Sequence, residues 1–216
     1  MGQPREPRRR NPQAHGVARI DFGNTTDLSD VRLLALCHEA AVPWSLGRIT
    51  LRVRYSRGAD FSGTCFYADR RIYINLGRHL EYPYRLHTNL ARTRTAGRQW
   101  YKPIYTLDLE NGYQLALFIF LHELYHLLVK RARRNTRQKE SMCDRFAARY
   151  LVRRFGAAVR TVKGNPVSCD EWDFQDLEGF VAAARDRRRR PSTAARLPTR
   201  LADAPAPADG QFKLFV

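Results

Sequence analysis

Three residues within one helical turn carry side chains that could hold and use a metal ion: His122, Glu123 and His126. The two histidines are four residues apart, so on a helix their imidazoles point the same way and can bind one ion. Glu123 projects near the open coordination position, where it can accept a proton from a zinc-bound water. Because the ion lowers the pKa of that water to about 7, this spacing predicts one Zn²⁺ and a catalytic base.

The surrounding segment decides between metal binding and a purely structural role for these residues. Two histidines on an amphipathic helix could simply be polar residues at the edge of a core. Here the helix is predicted to begin at Asn111 and is unusually apolar, with the sequence GYQLALFIFLHELYHLLVKRARR. Unligated His and Glu side chains are costly to bury in such a helix, so the context favours metal binding.

A catalytic zinc site needs a third protein ligand and one open position. The downstream candidates are Glu140, Cys143, Asp144 and, farther along the chain, Cys169. Glu140 and Asp144 lie four residues apart on a second predicted helix, QKESMCDRFAARYLVRRF, and therefore share a face. Residue spacing alone leaves the choice among these candidates open.

The distance between the two motifs imposes a condition on the chain. In one unbroken helix Glu140 would lie about 21 Å along the axis from His126, too far to share an ion. We therefore expect the chain to reverse between Arg131 and Thr136, although no Gly or Pro lies between His126 and Glu140 to force it. Asn135 is the expected N-cap of the second helix, with Gln138 three residues on.

The two segments together resemble a known class of enzymes. HELYH followed by ESMCDRFAARYL is similar to the HExxH and ExxAD-type pattern of gluzincin metallopeptidases, as in the M48 peptidases and the ImmA/IrrE-like family. The resemblance covers roughly residues 60–155. It implies that His122, His126 and Glu140 are the ligands, that Glu123 is the catalytic base and that Asp144 orients a ligand histidine. Cys143 stands where the pattern usually has Ala, which keeps a thiolate ligand as the alternative.

The remaining segments predict an α+β domain of zincin-like type, with a small antiparallel or mixed sheet packed on the HExxH helix and the second ligand-bearing helix. We expect a helix from Asp27 up to Pro43, a strand at residues 48–56, and a short helix within EWDFQDLEGFVAAAR. Residues 64–67 and 71–76 predict a hairpin. By the resemblance, its second strand is the sheet edge that binds an extended substrate, through Arg71, Ile72, Tyr73, Ile74 and Asn75. An ordinary core hairpin is the alternative.

Charge is concentrated towards the two ends of the chain, which has 216 residues and a net charge of +17. Residues 1–20 carry +4, and residues 185–200 carry +6. Both ends are rich in Arg and Pro, so we predict disordered basic tails at 1–20 and 186–216 around a domain at 21–185. Neither a secretory signal nor an apolar run of membrane-spanning length is apparent, which predicts a soluble, intracellular, cytoplasmic protein with free thiols.

Residues 82–105 interleave aromatic side chains with five basic residues and no acidic one. We expect at most weak, salt-sensitive binding of nucleic acid through this segment and the tails. The preferred interpretation of the segment is a cationic surface loop with a few aromatic anchors. The sequence does not assign the group that stabilises an oxyanion; any Tyr, His or Arg of residues 79–105 is a candidate.

These observations predict a zinc metalloendopeptidase. It would hydrolyse peptide bonds in a protein or peptide substrate by means of a zinc-activated water, with Glu123 as the general base. The alternative is a catalytically inactive zinc-binding scaffold that binds nucleic acid or a protein partner through its basic surfaces.

Overall fold

The computed structural model of the protein describes residues 19–137 and 139–186, with no side-chain description for 183–186. It contains a four-stranded sheet, a three-stranded sheet, a separate two-stranded hairpin and five helices within those residues. The α+β class predicted from the sequence is confirmed. The predicted tails fall largely on residues outside this description, except that Arg19 and Ile20 form part of a strand and Asp186 ends a helix.

The four-stranded sheet has the order β1-β2-β4-β3. β1, β2 and β4 are mutually parallel neighbours, and β3 pairs antiparallel with β4. Residues alternate between buried and more exposed positions along β2, β3 and β4, so one face of the sheet covers the core. The strands are β1 (Arg19–Asn24), β2 (Arg48–Tyr55), β3 (Phe61–Phe66) and β4 (Arg71–Leu76).

The predicted hairpin is present, but the prediction that its second strand forms the sheet edge is wrong. β4, which contains Arg71 to Asn75, is an interior strand between β2 and β3, and β3 is the edge strand. The alternation along RIYINL reports which face of the strand is buried. It carries no information about how many strands lie beside it, and the partner β2 comes from a distant segment.

The helix α2 (Gly112–Arg131) forms the centre of the domain. Its N-cap is Asn111, whose side chain accepts hydrogen bonds from the backbone N–H groups of Tyr113 and Gln114. Every residue from Gln114 to Val129 is buried, because the sheet and the other helices surround it. α2 is long and apolar enough to cross a membrane, yet 89% of its apolar window is buried inside the fold, as in the core helix of a domain.

The helix α3 (Glu140–Phe155) returns along α2 and packs against it. Its buried positions include Cys143, Ala147 and Leu151, which recur at four-residue spacing. The small side chains of Cys143 and Ala147 allow a close approach of the two helices, and this packing places the N-terminal end of α3 beside the two histidines.

The predicted reversal between the two helices is confirmed, and its geometry explains how it forms without Gly or Pro. α2 ends at Arg131, and Arg133 adopts a left-handed conformation with φ +55°. The backbone N–H of Arg134 donates to the carbonyl of Val129, and that of Arg133 donates to the carbonyl of Lys130. This hydrogen-bond pair is the Schellman motif that usually places Gly at the left-handed position.

The expected N-cap of α3 is wrong. The side chain of Asn135 accepts from the backbone N–H of Arg137, at 2.9 Å, and so closes a turn before the helix. Lys139 occupies the cap position and provides no side-chain cap. Asn135 therefore forms a turn, as its residue type suggests, but α3 begins only at Glu140.

The other elements complete the domain. The three-stranded antiparallel sheet has the order β5-β8-β9, and residues 77–106, which lack a clear periodicity, supply three short strands and part of a fourth. The single helix expected near the C-terminal end is two helices separated by a turn. The bounds are α1 (Asp30–Ala41), β5 (Tyr84–Thr88), β6 (Arg94–Ala96), β7 (Gln99–Tyr101), β8 (Tyr105–Leu109), β9 (Val159–Thr161), α4 (Cys169–Trp172) and α5 (Leu177–Asp186).

The turn after α2 generates a stability prediction. A non-Gly residue in the left-handed region is disfavoured by about 1–2 kcal/mol. Replacing it with Gly recovers only part of this energy, because Gly loses more backbone entropy on folding. We therefore expect Arg133→Gly to raise the free energy of unfolding by about 0.5–1 kcal/mol in urea denaturation. Arg137→Gly is the matched control, because this exposed residue of the same loop does not have a positive φ. A destabilised Arg133→Gly, or an equal gain at Arg137, would contradict the assigned turn.

Candidate metal centre

Two histidine nitrogens face each other inside the domain. His122 and His126 lie one turn apart on α2, and the two residues are 1% and 3% exposed. The Nε2 atoms of the two rings are 3.2 Å apart. Two imidazole nitrogens held this close and away from water need a shared proton or a cation between them, which is the arrangement expected at a metal site.

The carboxylate of Glu140 completes a triangle with these nitrogens. Its Oε2 lies 3.1 Å from Nε2 of His122, and its Oε1 lies 3.4 Å from Nε2 of His126. Zinc bonds of about 2.0–2.2 Å in a tetrahedron separate neighbouring ligand atoms by about 3.3–3.6 Å. The three observed separations approach these values, so the donor atoms are spaced to hold one ion. Glu140 is 41% exposed, and the site meets solvent on this side.

Cys143 offers a second set of ligands with the same histidines. Ligand atoms of His122, His126 and Cys143 all lie within 4.8 Å of one another, and this buried group could hold a metal ion. Burial raises the pKa of the Cys143 thiol well above its usual range, and the carboxylates of Glu140, Asp144 and Glu123 raise it further. Because the thiolate is the metal-binding form, these neighbours favour Glu140 as the third ligand.

Asp144 lies directly behind His122. The Nδ1–H of His122 donates to Oδ1 of Asp144 at 2.8 Å, and the backbone N–H of Asn89 donates to Oδ2 at 2.7 Å. A hydrogen bond at Nδ1 leaves Nε2 as the metal-binding nitrogen and fixes the orientation of the ring. This placement agrees with the role that the resemblance implied for Asp144.

The carboxylates set the charge of the histidine when no metal is bound. Burial lowers the pKa of His122, but the hydrogen bonds to Asp144 and Glu140 outweigh it and raise the pKa to about 10. Burial alone would raise the pKa of Glu140, but hydrogen bonds to His122 and His126 hold it well below its usual range. Without a metal the site is therefore a cationic imidazole between carboxylates, and metal binding must displace a proton.

Glu123 lies between α2 and the edge strand β3. Its side chain is buried, and Gly63 of β3 lies directly against it. A Cβ at Gly63 would overlap the Glu123 carboxylate and lie 2.8 Å from Cγ2 of Ile119. Burial raises the pKa of the Glu123 carboxyl, and the two histidines oppose this shift. Only a glycine lets the strand approach the helix this closely.

Tyr67 approaches the same region from the end of β3. Its ring lies 5.5 Å from Nζ of Lys130, which follows His126 by one turn of α2. Burial raises the pKa of the Tyr67 phenol, and the carboxylates of Glu123 and Glu140 contribute to the rise. Among the described residues its hydroxyl has no hydrogen-bond partner. The phenol therefore stays protonated and is available as a donor.

Sequence reasoning missed three contributors to this site: Gly63, Tyr67 and Asn89. Gly63 directly precedes the strand predicted from Thr64, and Tyr67 was assigned only to a hairpin. Asn89 acts through its backbone N–H, which no residue type reveals. Conversely, within the described chain no Tyr, His or Arg side chain from residues 79–105 forms a hydrogen bond or ion pair with the two histidines, Glu123 or Glu140.

A cavity of about 1050 Å³ lies elsewhere in the described part of the chain. Its lining includes Ser62, Thr64 and Asn75, which alternate with the core residues and so occupy the outer face of the sheet. None of the histidine or carboxylate residues of the metal centre lines it. The candidate site is identified by its donor atoms rather than by cavity size.

Comparison with known proteins does not assign the chain to a family. No protein-family profile, curated protein or solved structure matches the chain. The resemblance to gluzincins stays a prediction, and the functional assignment depends on the geometry and chemistry of the site.

The coupling of metal and proton generates a pH prediction. Because the metal-free His122 keeps its proton up to a pKa of about 10, zinc affinity should rise with pH, by about tenfold per unit for one displaced proton. Asp144→Asn removes the charge that raises this pKa, so we expect a flatter pH dependence of zinc affinity. Loss of the carboxylate that orients the ring should also weaken binding by roughly 10–100-fold near pH 9, where proton competition is smallest. Chelator competition between about pH 6 and pH 9 measures both quantities.

The control for this experiment is Asp21→Asn, which removes a carboxylate that pairs with Arg52 on the four-stranded sheet. Its zinc affinity should follow that of the unmodified protein at every pH. Unchanged affinity and slope in Asp144→Asn would show that Asp144 does not act on the metal-binding ring.

Proposed function

We propose that this protein is a zinc-dependent metallopeptidase that hydrolyses peptide bonds in a protein or peptide substrate. The observation that carries the proposal is the convergence of His122 Nε2, His126 Nε2 and the Glu140 carboxylate at separations of 3.1–3.4 Å. A set of two imidazoles and one carboxylate with an open position is typical of catalytic zinc. The acidic residue expected of a peptidase base, Glu123, lies on the same turn of α2.

Zinc at this site would polarise a substrate carbonyl and lower the pKa of a water to about 7. Glu123 then acts as the general base that accepts the proton of the attacking water. As the peptide bond breaks, the same carboxyl donates that proton to the departing amine nitrogen.

The edge strand β3 is the element that we expect to hold the substrate. β3 has no strand neighbour on its outer side among the described residues, and its Gly63 lies against Glu123. An extended peptide that pairs with this edge would pass beside the base. The substrate-binding role first expected of β4 therefore falls to β3.

We assign to Tyr67 the hydrogen bond that stabilises the oxyanion. The residue directly follows β3 and continues the alternation of Gly63 and Cys65, both of which face the core. Its hydroxyl has no partner among the described residues, and its phenol is kept protonated by its surroundings. A protonated hydroxyl near the metal centre would stabilise the negative charge that develops on the substrate carbonyl oxygen.

The second candidate function is a zinc-bearing scaffold without peptidase activity. The observation that favours it is the burial of Glu123, which is only 3% exposed. A base enclosed between a helix and a strand must still reach a water at the metal. The scaffold and the peptidase share the metal centre and differ only in turnover, so turnover is the quantity that separates them.

Glu123→Gln is the direct test of the catalytic base. The amide keeps the shape of the side chain but cannot accept a proton, so we expect turnover to fall by roughly 10²–10⁴-fold with zinc content unchanged. New N-termini in a proteome digest, counted by mass spectrometry beside elemental analysis of zinc, measure both. Near-normal turnover in zinc-loaded Glu123→Gln would exclude this role. An unmodified protein that binds zinc and cuts nothing would favour the scaffold.

Tyr67→Phe tests the oxyanion donor. Loss of one such donor typically costs about 10²–10³-fold in kcat, and we expect KM and the unfolding midpoint to change little. Tyr73→Phe is the matched control, because Tyr73 packs edge-on against Phe66 on the sheet face turned away from the core. Equal kcat values in the two variants would remove Tyr67 from the mechanism.

A further inference from the structure

A pocket of about 390 Å³ lies beside the first turn of α3 and is lined by four basic side chains. Its lining contains no acidic residue. Ser141, the residue after Glu140, forms part of the wall, so the pocket adjoins the metal centre. The basic residues are Arg92, Lys102, Lys139 and Arg145.

These cations have no anionic partner in the described part of the chain, where none of the four forms an ion pair. Lys102 donates to the hydroxyl of Ser141 at 2.5 Å, a neutral acceptor. Arg92 and Arg145 both lie over the ring of Phe174, at 3.9 and 4.3 Å from its centroid. Nearby carboxylates of Asp144 and Asp173 act on Lys102 and Arg145 but do not pair with them. The pocket is therefore a concave surface with an excess of positive charge, which attracts an anion.

The crowding of positive charge also acts on Lys102. Burial lowers the pKa of its ammonium group, the charge of Arg145 lowers it further, and Asp144 opposes both. A bound anion would relieve this desolvation and repulsion, which supports the pocket as an anion site.

Two exposed aromatic residues immediately precede Lys102, one of the pocket residues, in the sequence. The hairpin of β6 and β7 ends in Trp100 and Tyr101, which are 76% and 49% exposed and directly precede Lys102. A large aromatic side chain left in solvent beside a charged pocket marks an interaction surface. Arg98, also exposed, adds a further cation to the hairpin.

We propose that this surface binds single-stranded nucleic acid, with a backbone phosphate in the four-cation pocket and a base stacked on Trp100. Every base has a flat face that can stack on an aromatic ring, and a single strand leaves that face free. An acidic protein would satisfy the cations but would leave the exposed Trp100 without a role. The proposal locates the nucleic-acid binding that the composition of residues 82–105 only suggested, and it holds whether or not the metal centre hydrolyses peptides.

Fluorescence anisotropy with a labelled oligo(dT) strand tests the proposal on the full chain. We expect Trp100→Ala to weaken binding by about tenfold, since stacking of one base is worth roughly that much. Lys102→Met should weaken binding and reduce the slope of log affinity against log salt by about one. Quenching of tryptophan fluorescence by the strand should disappear in Trp100→Ala, because Trp172 is buried and Trp44 packs on Phe146.

Two matched controls show whether the effects belong to this surface rather than to the loss of any exposed cation or apolar side chain. Arg57→Ala removes an exposed charge at the large cavity on the outer face of the four-stranded sheet, and Val162→Ala removes an exposed apolar side chain. Both should bind as the unmodified protein does. Oligo(dT) affinity and salt slope that are unchanged in Trp100→Ala and Lys102→Met would overturn the proposal. So would a polyglutamate peptide, or a duplex, that binds equally well with the same dependence on both residues.

Discussion

The burial of polar side chains inside α2 is the constraint on which the rest of the domain depends. His122, Glu123 and His126 lie in a helix that is otherwise apolar and surrounded on all sides. Polar groups without partners in such a place cost several kcal/mol each, so other elements must bring partners to them. α3 supplies Glu140 and Asp144, and β3 passes over Glu123 at a glycine. The reversal after Arg131, the small side chains of α3 and the glycine on β3 all serve this one requirement.

The same cluster links stability to pH and to metal. In the metal-free protein the pKa of His122 is raised, so its contribution to stability is complete below about pH 6.5 and is lost as the pH rises towards about 10. The pKa of Glu140 is lowered, so its contribution is present at neutral pH and is lost only in acid. A bound metal takes the place of the proton on His122. The contribution of His122 to stability is then no longer lost as the pH rises. Metal binding and folding are therefore coupled at this site.

The sequence predicted those features that follow from local spacing. The positions of His122 and His126 required a helix, and the shared ion required the return of Glu140, so α2, the reversal and α3 could all be placed. Features that depend on distant segments were not predictable. Alternation along β4 could not reveal that β2 lies beside it. No strand is predicted at β1, whose first two residues, Arg19 and Ile20, fall in the predicted Arg-rich tail. The residue types of Arg133 and Asn89 did not indicate their roles. Arg133 adopts a left-handed conformation because of tertiary packing, and Asn89 contributes its backbone N–H, which almost every residue has.

X-ray absorption at the zinc edge of the purified, zinc-loaded protein tests the central claim most directly, because it reports the ligand elements and their bond lengths. Ligation by His122, His126 and Glu140 predicts a first shell of nitrogen and oxygen alone, at about 2.0–2.2 Å, with the outer-shell scattering of two imidazoles. A sulfur atom at about 2.3 Å would contradict it and assign the third position to Cys143.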